Sequence, residues 1–397
     1  MYAPQSLQDI LFLMFYSGIA MLALLAGIYL GLRRSNAIDP SVNPPKALRQ
    51  WTAAFFITAA MSHVWWYVLG IYWLADDRLI RNIICIMLDH ITLVPLVMAL
   101  LLRMLQDRQR KIWPWAATQV IVMGAAAIGI ATHDELGLDL MHTCQIGIIM
   151  IFIIYFIFAL VKYSRWLKEN YADLDHKEVW QSLLFAVVLF IIYQAYATNP
   201  GDMAREYLSQ INTAIIIFFL LWRVETLQEL EVKEEEEEET TYATISTNIS
   251  TNISTMLQAR CEATQLYLQH DLTLAQLGET IGTNRTYLSH YFAQQGITYN
   301  AYVNRLRIAH FERLYRENVA AQRSFTAQQL ALKCGFRSYS TFAAAFKLFN
   351  GQTVSSWMRC QAPDFQNKQI LFQNRKNLLF RPQNPWLFVE KLITFVA

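Results

Sequence analysis

Apolar residues along this chain follow two different rhythms. Before Trp222 they come in blocks of about 20, the length a helix rising ~1.5 Å per residue needs to cross ~30 Å of hydrocarbon. After it they return to the three-and-four spacing of short amphipathic helices packed on a core. Read between charged breaks, the first part yields seven span-like segments, at 11–32, 51–75, 82–102, 113–132, 140–161, 179–199 and 208–222. The first, LFLMFYSGIAMLALLAGIYLGL, has no charge in 22 residues and ends at Arg33 and Arg34. Its apolar core is too long for a secretory signal and no basic segment precedes it, so it is expected to stay in the mature protein.

Loop charge orients these segments. The loops 33–50, 103–112 and 162–178 carry twelve Lys or Arg, against three in 1–9, 76–81, 133–139 and 200–207. Basic residues are retained on the cytoplasmic side, which predicts a multi-pass protein of the inner (cytoplasmic) membrane with its amino terminus outside and everything after Arg223 in the cytoplasm. Trp51, Trp73, Trp113, Trp115 and Trp222 fall near span ends, where interfacial aromatics belong. The expected fold class is all-α: a seven-helix transmembrane bundle plus a cytoplasmic helical domain. With 54% hydrophobic and 16% charged residues, the 397-residue chain is too apolar for a single soluble globule. Its net charge of +2 averages over parts facing different solvents.

Ionisable residues at membrane depth are costly and suggest function. His63 falls in the second segment, Asp89 and His90 in the third, and Asp139 and His142 at the outer start of the fifth. Asp89 with His63 or His90 would form the floor of a pocket for a small-molecule or lipid signal, with His142 nearby; the alternative is that these groups tie helices together. The histidines would also suit a haem, but nothing in their spacing demands one. The five cysteines show no metal-ligand spacing, and no nucleophile constellation or nucleotide-binding loop is present. The expectation is no catalysis, no metal and no cofactor.

After Trp222 the hydropathy collapses into RVETLQELEVKEEEEEETTYATISTNISTNIST. Nine Glu stand against one Lys between Val224 and Thr240. Its helix formers, with Leu227 and Leu230 three apart, allow the last helix to run on into the cytoplasm as a solvated spacer. ISTNISTNIST, rich in residues that compete for backbone hydrogen bonds, favours non-helical or flexible chain. The expected organisation is a sensor domain over 1–223, a linker over 224–253, a basic domain over 254–360, and a tail over 361–397 of unassigned role. The basic domain carries eleven Lys or Arg against five Asp or Glu, which suits a polyanionic partner.

Within it, LTLAQLGETIGTNRTYLSHYFAQQ places Leu274, Leu277 and Ile281 at helical spacing, then Gly282 at a stop, then Asn284 as an N-cap. The second helix buries Leu288 and Phe292. FTAQQLALKCGFRSYSTFAAAFKLFNG repeats the device around Gly335, and YNAYVNRLRIAHFERLYREN between them has the pattern of one connecting helix. Two helix-turn-helix units in this order and spacing resemble the DNA-binding domain of AraC/XylS transcription regulators. The resemblance covers 254–360 and implies two recognition helices in successive major-groove segments of double-stranded DNA. By family position Arg285, Thr286, Ser289 and His290 face bases or phosphates in the first unit. Arg337, Ser338, Tyr339, Ser340 and Ala344 hold the matching places in the second, with Lys347 on phosphate.

The sequence departs from the family's pattern at Phe311, where a small residue is usual, at Val354, where a Pro is usual, and at Ala344, which cannot bridge to a base edge. The second unit is therefore expected to position while the first specifies. The leading expectation is a membrane-tethered one-component transcription regulator, with RNA polymerase as a further partner and homodimerisation as a route to specificity. The alternative is a receptor or transporter whose cytoplasmic domain binds a protein, and a third class is a membrane enzyme or redox protein.

Overall fold

The computed structural model describes residues 7–33, 42–70, 76–182, 184–185, 187–188, 203–230 and 247–361. Every regular element among them is helical, and one isolated antiparallel bridge joins Tyr171 and Thr273. The chain divides into two compact units, Met1–Leu167 with His176–Thr241, and Lys168–Asp175 with Tyr242–Ala397.

In the first unit lie α1 (Leu7–Leu32), α2 (Lys46–Val68), α3 (Arg78–Met104), α4 (Trp113–Ala117), α5 (Gln119–Thr132), most of α6 (Glu135–Asn170) and α7 (Met203–Thr226). Among the described residues five stretches are helical, long and apolar enough to cross a membrane: Leu7–Leu32, Arg78–Met104, Trp113–Thr132, Glu135–Asn170 and Glu206–Thr226. The second expected span is helical within α2, which begins at Lys46 and so takes in the polar residues Arg49 and Gln50. Residues 71–75 and most of 179–199 lie outside the described residues.

The outward stripes of these helices are apolar. Ile151, Ile154 and Phe158 of α6 are 64%, 52% and 72% exposed, and Ile211, Ile215 and Phe218 of α7 repeat the pattern. Polar side chains such as Gln145, Gln210 and His63 point inward instead. A helix in water shows the opposite arrangement, whereas hydrocarbon leaves apolar side chains nothing to hide from.

Contrary to expectation, α7 does not run on as a spacer. It ends at Thr226, and the next residues trade helical bonds for loop partners: Gln228 N–H donates to His176 O (2.9 Å), Glu229 N–H to Asn43 O (2.7 Å) and Leu230 N–H to Gln106 Oε1 (2.8 Å). Gln106 Nε2 returns a bond to Gln228 O at 2.9 Å. Leu227 and Leu230 are buried there, so packing of two leucines and a full set of backbone bonds outweigh the helix propensity of Glu and Gln. The Glu run that follows lies outside the described residues.

The second unit comprises α8 (Thr247–Leu257), a π-turn at Gln258–Glu262, a 3-10 turn at Leu266–Leu268, α9 (Leu274–Ile281), α10 (Arg285–Gln294), α11 (Tyr299–Ala320), α12 (Ala327–Lys333), α13 (Tyr339–Asn350) and α14 (Val354–Gln361). Here too an expectation is corrected, because ISTNISTNIST is helical from Thr247. Ile253, Leu257 and Cys261, four apart, all enter the core, and that burial outweighs the poor helix propensity of Ser, Thr and Asn. The 361–397 tail lies outside the described residues after Gln361.

α11 serves two cores. Tyr299, Tyr302 and Val303 from its first half join Leu274, Leu277, Leu288 and Phe292, whereas Ile308, Phe311 and Tyr315 from its second half join Leu330, Phe342, Phe346 and Trp357. Between them sits Arg307, 1% exposed, donating to Tyr267 O (2.7 Å) and to Gln269 O (2.6 Å) while its guanidinium lies over the Phe336 ring. Burial pulls its pKa below the ordinary arginine value, and nearby Asp173 opposes that shift. Val354 begins α14 and is buried, so the place the family gives to Pro here is a core position.

Candidate nucleic-acid interface

Both helix-turn-helix units are built by the same local chemistry. Thr273 caps α9 and Thr326 caps α12, each through a capping box closed by Gln276 or Gln329. Sequence reasoning passed over both boxes, although the Thr-x-x-Gln spacing is legible at 273–276 and 326–329. The turns then diverge in detail: Gly282 closes α9 at φ +81, and Gly335 follows α12 at φ +87. Asn284 caps α10 by accepting from Tyr287 N–H (2.8 Å), and Ser338 caps α13 by accepting from Thr341 N–H (3.3 Å).

With α10 anchored through Leu288 and Phe292, Thr286 is left exposed and Arg285, Ser289 and His290 half-buried. With α13 anchored through Phe342, Ala345 and Phe346, Ser340, Ala344 and Lys347 are exposed. Ser338 spends its hydroxyl on the cap and on Ser340 Oγ (2.9 Å), and Tyr339 leans on Phe342 at 5.9 Å between ring centroids. Those two residues therefore shape the second recognition helix from within. Phe311 fills the second core, 4.4 Å from Phe342.

Two of the expected cations are held inside the second unit. Arg285 Nε donates to Asn170 Oδ1 at 2.7 Å. Arg337 pairs with Asp271 and lies 3.9 Å from Asp173 Oδ2. Residues 168–175 precede α7 in sequence, and no sequence signal tied them to this domain. Cys261 and Cys334 are buried in the two cores, and burial pushes their thiols up to about 11 and about 12, so both stay protonated at neutral pH.

In the first unit the candidate signal-site residues form three groups. The Asp89 carboxylate accepts from Ser62 Oγ (2.6 Å), Trp65 Nε1 (3.1 Å) and Trp66 Nε1 (2.8 Å). His63 donates through Nδ1 to Ala59 O (2.8 Å), faces Gln210 Oε1 with Nε2 (3.0 Å) and lies under the Tyr16 ring. His90 and His142 meet edge to face, 6.2 Å apart. Beside the Asp89 group a cleft of about 270 Å³ is lined by Phe12, Leu13, Tyr16, Trp66, Tyr67 and Gly70. Among the described residues no cluster of His, Cys, Asp and Glu has metal-binding geometry.

A pair of capped helix-turn-helix units sharing one long helix defines a bipartite DNA-binding domain. Residues 277–359 match the family model described as a helix-turn-helix domain, and this part of the chain is a helix-turn-helix domain of the AraC type. An uncharacterized HTH-type transcriptional regulator of Staphylococcus aureus strain MRSA252 is 30% identical over 117 residues, 29% of this chain and 15% of that protein. Uncharacterized HTH-type regulators from strains COL and MSSA476 are 29% identical over 112 and 117 residues, covering 14% and 15% of their lengths. The similarity thus spans about 15% of the curated relatives. No solved structure matches the chain.

Proposed function

We propose that the chain is a membrane-tethered, sequence-specific transcription regulator in which a signal at the apolar helices controls DNA binding by the double helix-turn-helix domain. The observation that carries this reading is one chain pairing helices whose outward stripes are apolar with a domain presenting two capped recognition helices. The sensor covers 1–223 apart from residues 168–175, the reader covers 254–360 with those residues and α8 packed on it, and the linker lies between, with the amino terminus outside and the reader in the cytoplasm. The Asp89 cage with its cleft, and the His63 and His90–His142 groups, receive a small-molecule or lipid signal. Binding to two half-sites favours a homodimer, and RNA polymerase is the downstream partner.

In the reader Arg285, Thr286, Ser289 and His290 contact the first half-site, with Arg337, Ser340 and Lys347 gripping phosphates at the second. Crosslinked immunoprecipitation of the full-length tagged protein tests this directly. Discrete genomic peaks are expected, and their absence would favour a receptor or transporter whose helical domain docks protein. At a recovered site, Arg285→Ala should weaken binding and disturb base preference. Lys347→Ala should weaken every sequence alike and flatten the salt slope by about one.

A further inference from the structure

The second unit contains a stretch of chain that no helix-turn-helix device requires. Residues 168–175, KENYADLD, bring Glu169, Asp173 and Asp175 against Lys168, a net of −2, into a domain whose own excess is positive. The stretch is built in. Ala172 is 2% exposed within the first core, its N–H donates to Leu272 O (3.1 Å), and Tyr171 forms the antiparallel bridge with Thr273. Asn300, at the start of α11, donates through Nδ2 to Ala172 O at 2.8 Å.

Anchored in this way, the segment sets its polar side chains against the starts of both recognition helices. Asn170 takes Arg285, the first residue of α10. Asp173, 2% exposed, faces Arg337 from one side as Asp271 does from another, and also bears on buried Arg307. Asp175 Oδ2 lies 3.5 Å from Thr341 Oγ1 in the first turn of α13. Helix starts and guanidinium groups are the features that bind phosphate, so carboxylates and an amide oxygen stand where backbone phosphates would.

Resting on the DNA-binding reading above, we propose that residues 168–175 are a resident mimic of the DNA backbone, and that DNA binds only when they leave the notch between Arg285 and Arg337. The bound segment is the resting state and its release is the event that a signal drives. The covalent route is short, because Lys168 continues α6 and Asp175 is followed by His176, whose carbonyl accepts from Gln228 just past the end of α7. A segment released one tenth of the time lowers apparent DNA affinity about tenfold.

The Tyr171–Thr273 bridge supplies a lock. Opposed residues of an antiparallel pair have Cα atoms about 4.5–5.5 Å apart, within the span of a disulfide. Full-length protein carrying Tyr171→Cys and Thr273→Cys, with exposed Cys360→Ser, is placed in lipid nanodiscs and titrated with a fluorescent mixed-sequence duplex of about 40 base pairs at low salt. Oxidation is expected to weaken binding about tenfold or more and to flatten the salt slope by roughly one, for Arg285 withheld, with recovery on reduction. Asp173→Asn in the unlocked protein should tighten binding.

Equal affinity in oxidised and reduced protein, with the crosslink verified by mass spectrometry, overturns the competition while leaving the DNA-binding reading intact. Looser binding by Asp173→Asn in a protein that keeps its unfolding temperature overturns it as well. No binding in either redox state removes the DNA-binding reading and this inference together.

Discussion

The two helix-turn-helix units share a capping box, a turn glycine and an aromatic anchor, yet they differ in what their turns touch. A Cβ on Gly282 would find only the end of Arg260 at 3.6 Å, whereas one on Gly335 would meet Leu268 O at 2.7 Å. The first turn meets only the end of a flexible side chain, and the second is pressed against the backbone of the 3-10 turn that precedes the first unit. α10 exposes Thr286 near its start, and α13 exposes Ser340 near its start with Ala344 and Lys347 further along. Similar local chemistry thus builds a turn with little packed against it in one half and a buttressed turn in the other.

Truncating the aromatic anchors should give the largest effects. Phe292→Ala and Phe311→Ala should each cost about 3–5 kcal/mol. Hydrogen exchange on the full-length protein should show the first opening α9 and α10 and the second opening α12 and α13. Equal loss of protection throughout would mean that α11 and Arg307 weld the halves into one cooperative unit.

The glycines sharpen the contrast. At Gly282 alanine should cost about 1 kcal/mol for its left-handed backbone alone, and at Gly335 about 3 kcal/mol, because a backbone collision is added. Equal costs in thermal unfolding would erase the distinction between the free and the buttressed turn. By contrast the caps should not discriminate. Thr273→Ala and Thr326→Ala should each cost about 1 kcal/mol, since each loses the same box.

The smallest effect concerns the junction. His310 Nδ1 accepts from Arg313 (2.8 Å) and stands 3.2 Å from Tyr267 Oη, and burial followed by the Arg313 charge lowers its pKa. The folded state thus binds fewer protons than the unfolded one below the ordinary histidine pKa. Its contribution is complete above that value and is lost as the pH falls. His310→Gln should flatten the acid limb of the stability curve below about pH 6.5, and an unchanged limb would assign the slope elsewhere.

Much of the second unit could be read from its residues because its signals are local. Glycine stops, polar caps and three-and-four spacing act within one or two turns of helix, so α9, α10, α12 and α13 were legible without a partner. The apolar blocks were legible for the same reason, since their length alone sets what they can cross. Asp89 and His63 could be placed within apolar segments, but their partners Ser62, Trp66 and Gln210 come from packing.

The sequence by itself determined five of the helices of membrane length, those at 11–32, 82–102, 113–132, 140–161 and 208–222, and where α10 and α13 start, because propensity, capping and periodicity are properties of neighbours along the chain. Only the tertiary structure decided that ETLQEL leaves the helix after Thr226, that ISTNISTNIST enters one, and that residues 168–175 join the DNA-binding domain. In the first two cases burial of a few apolar side chains, joined after Thr226 by distant backbone partners, overrode a local preference worth less than about 1 kcal/mol per residue.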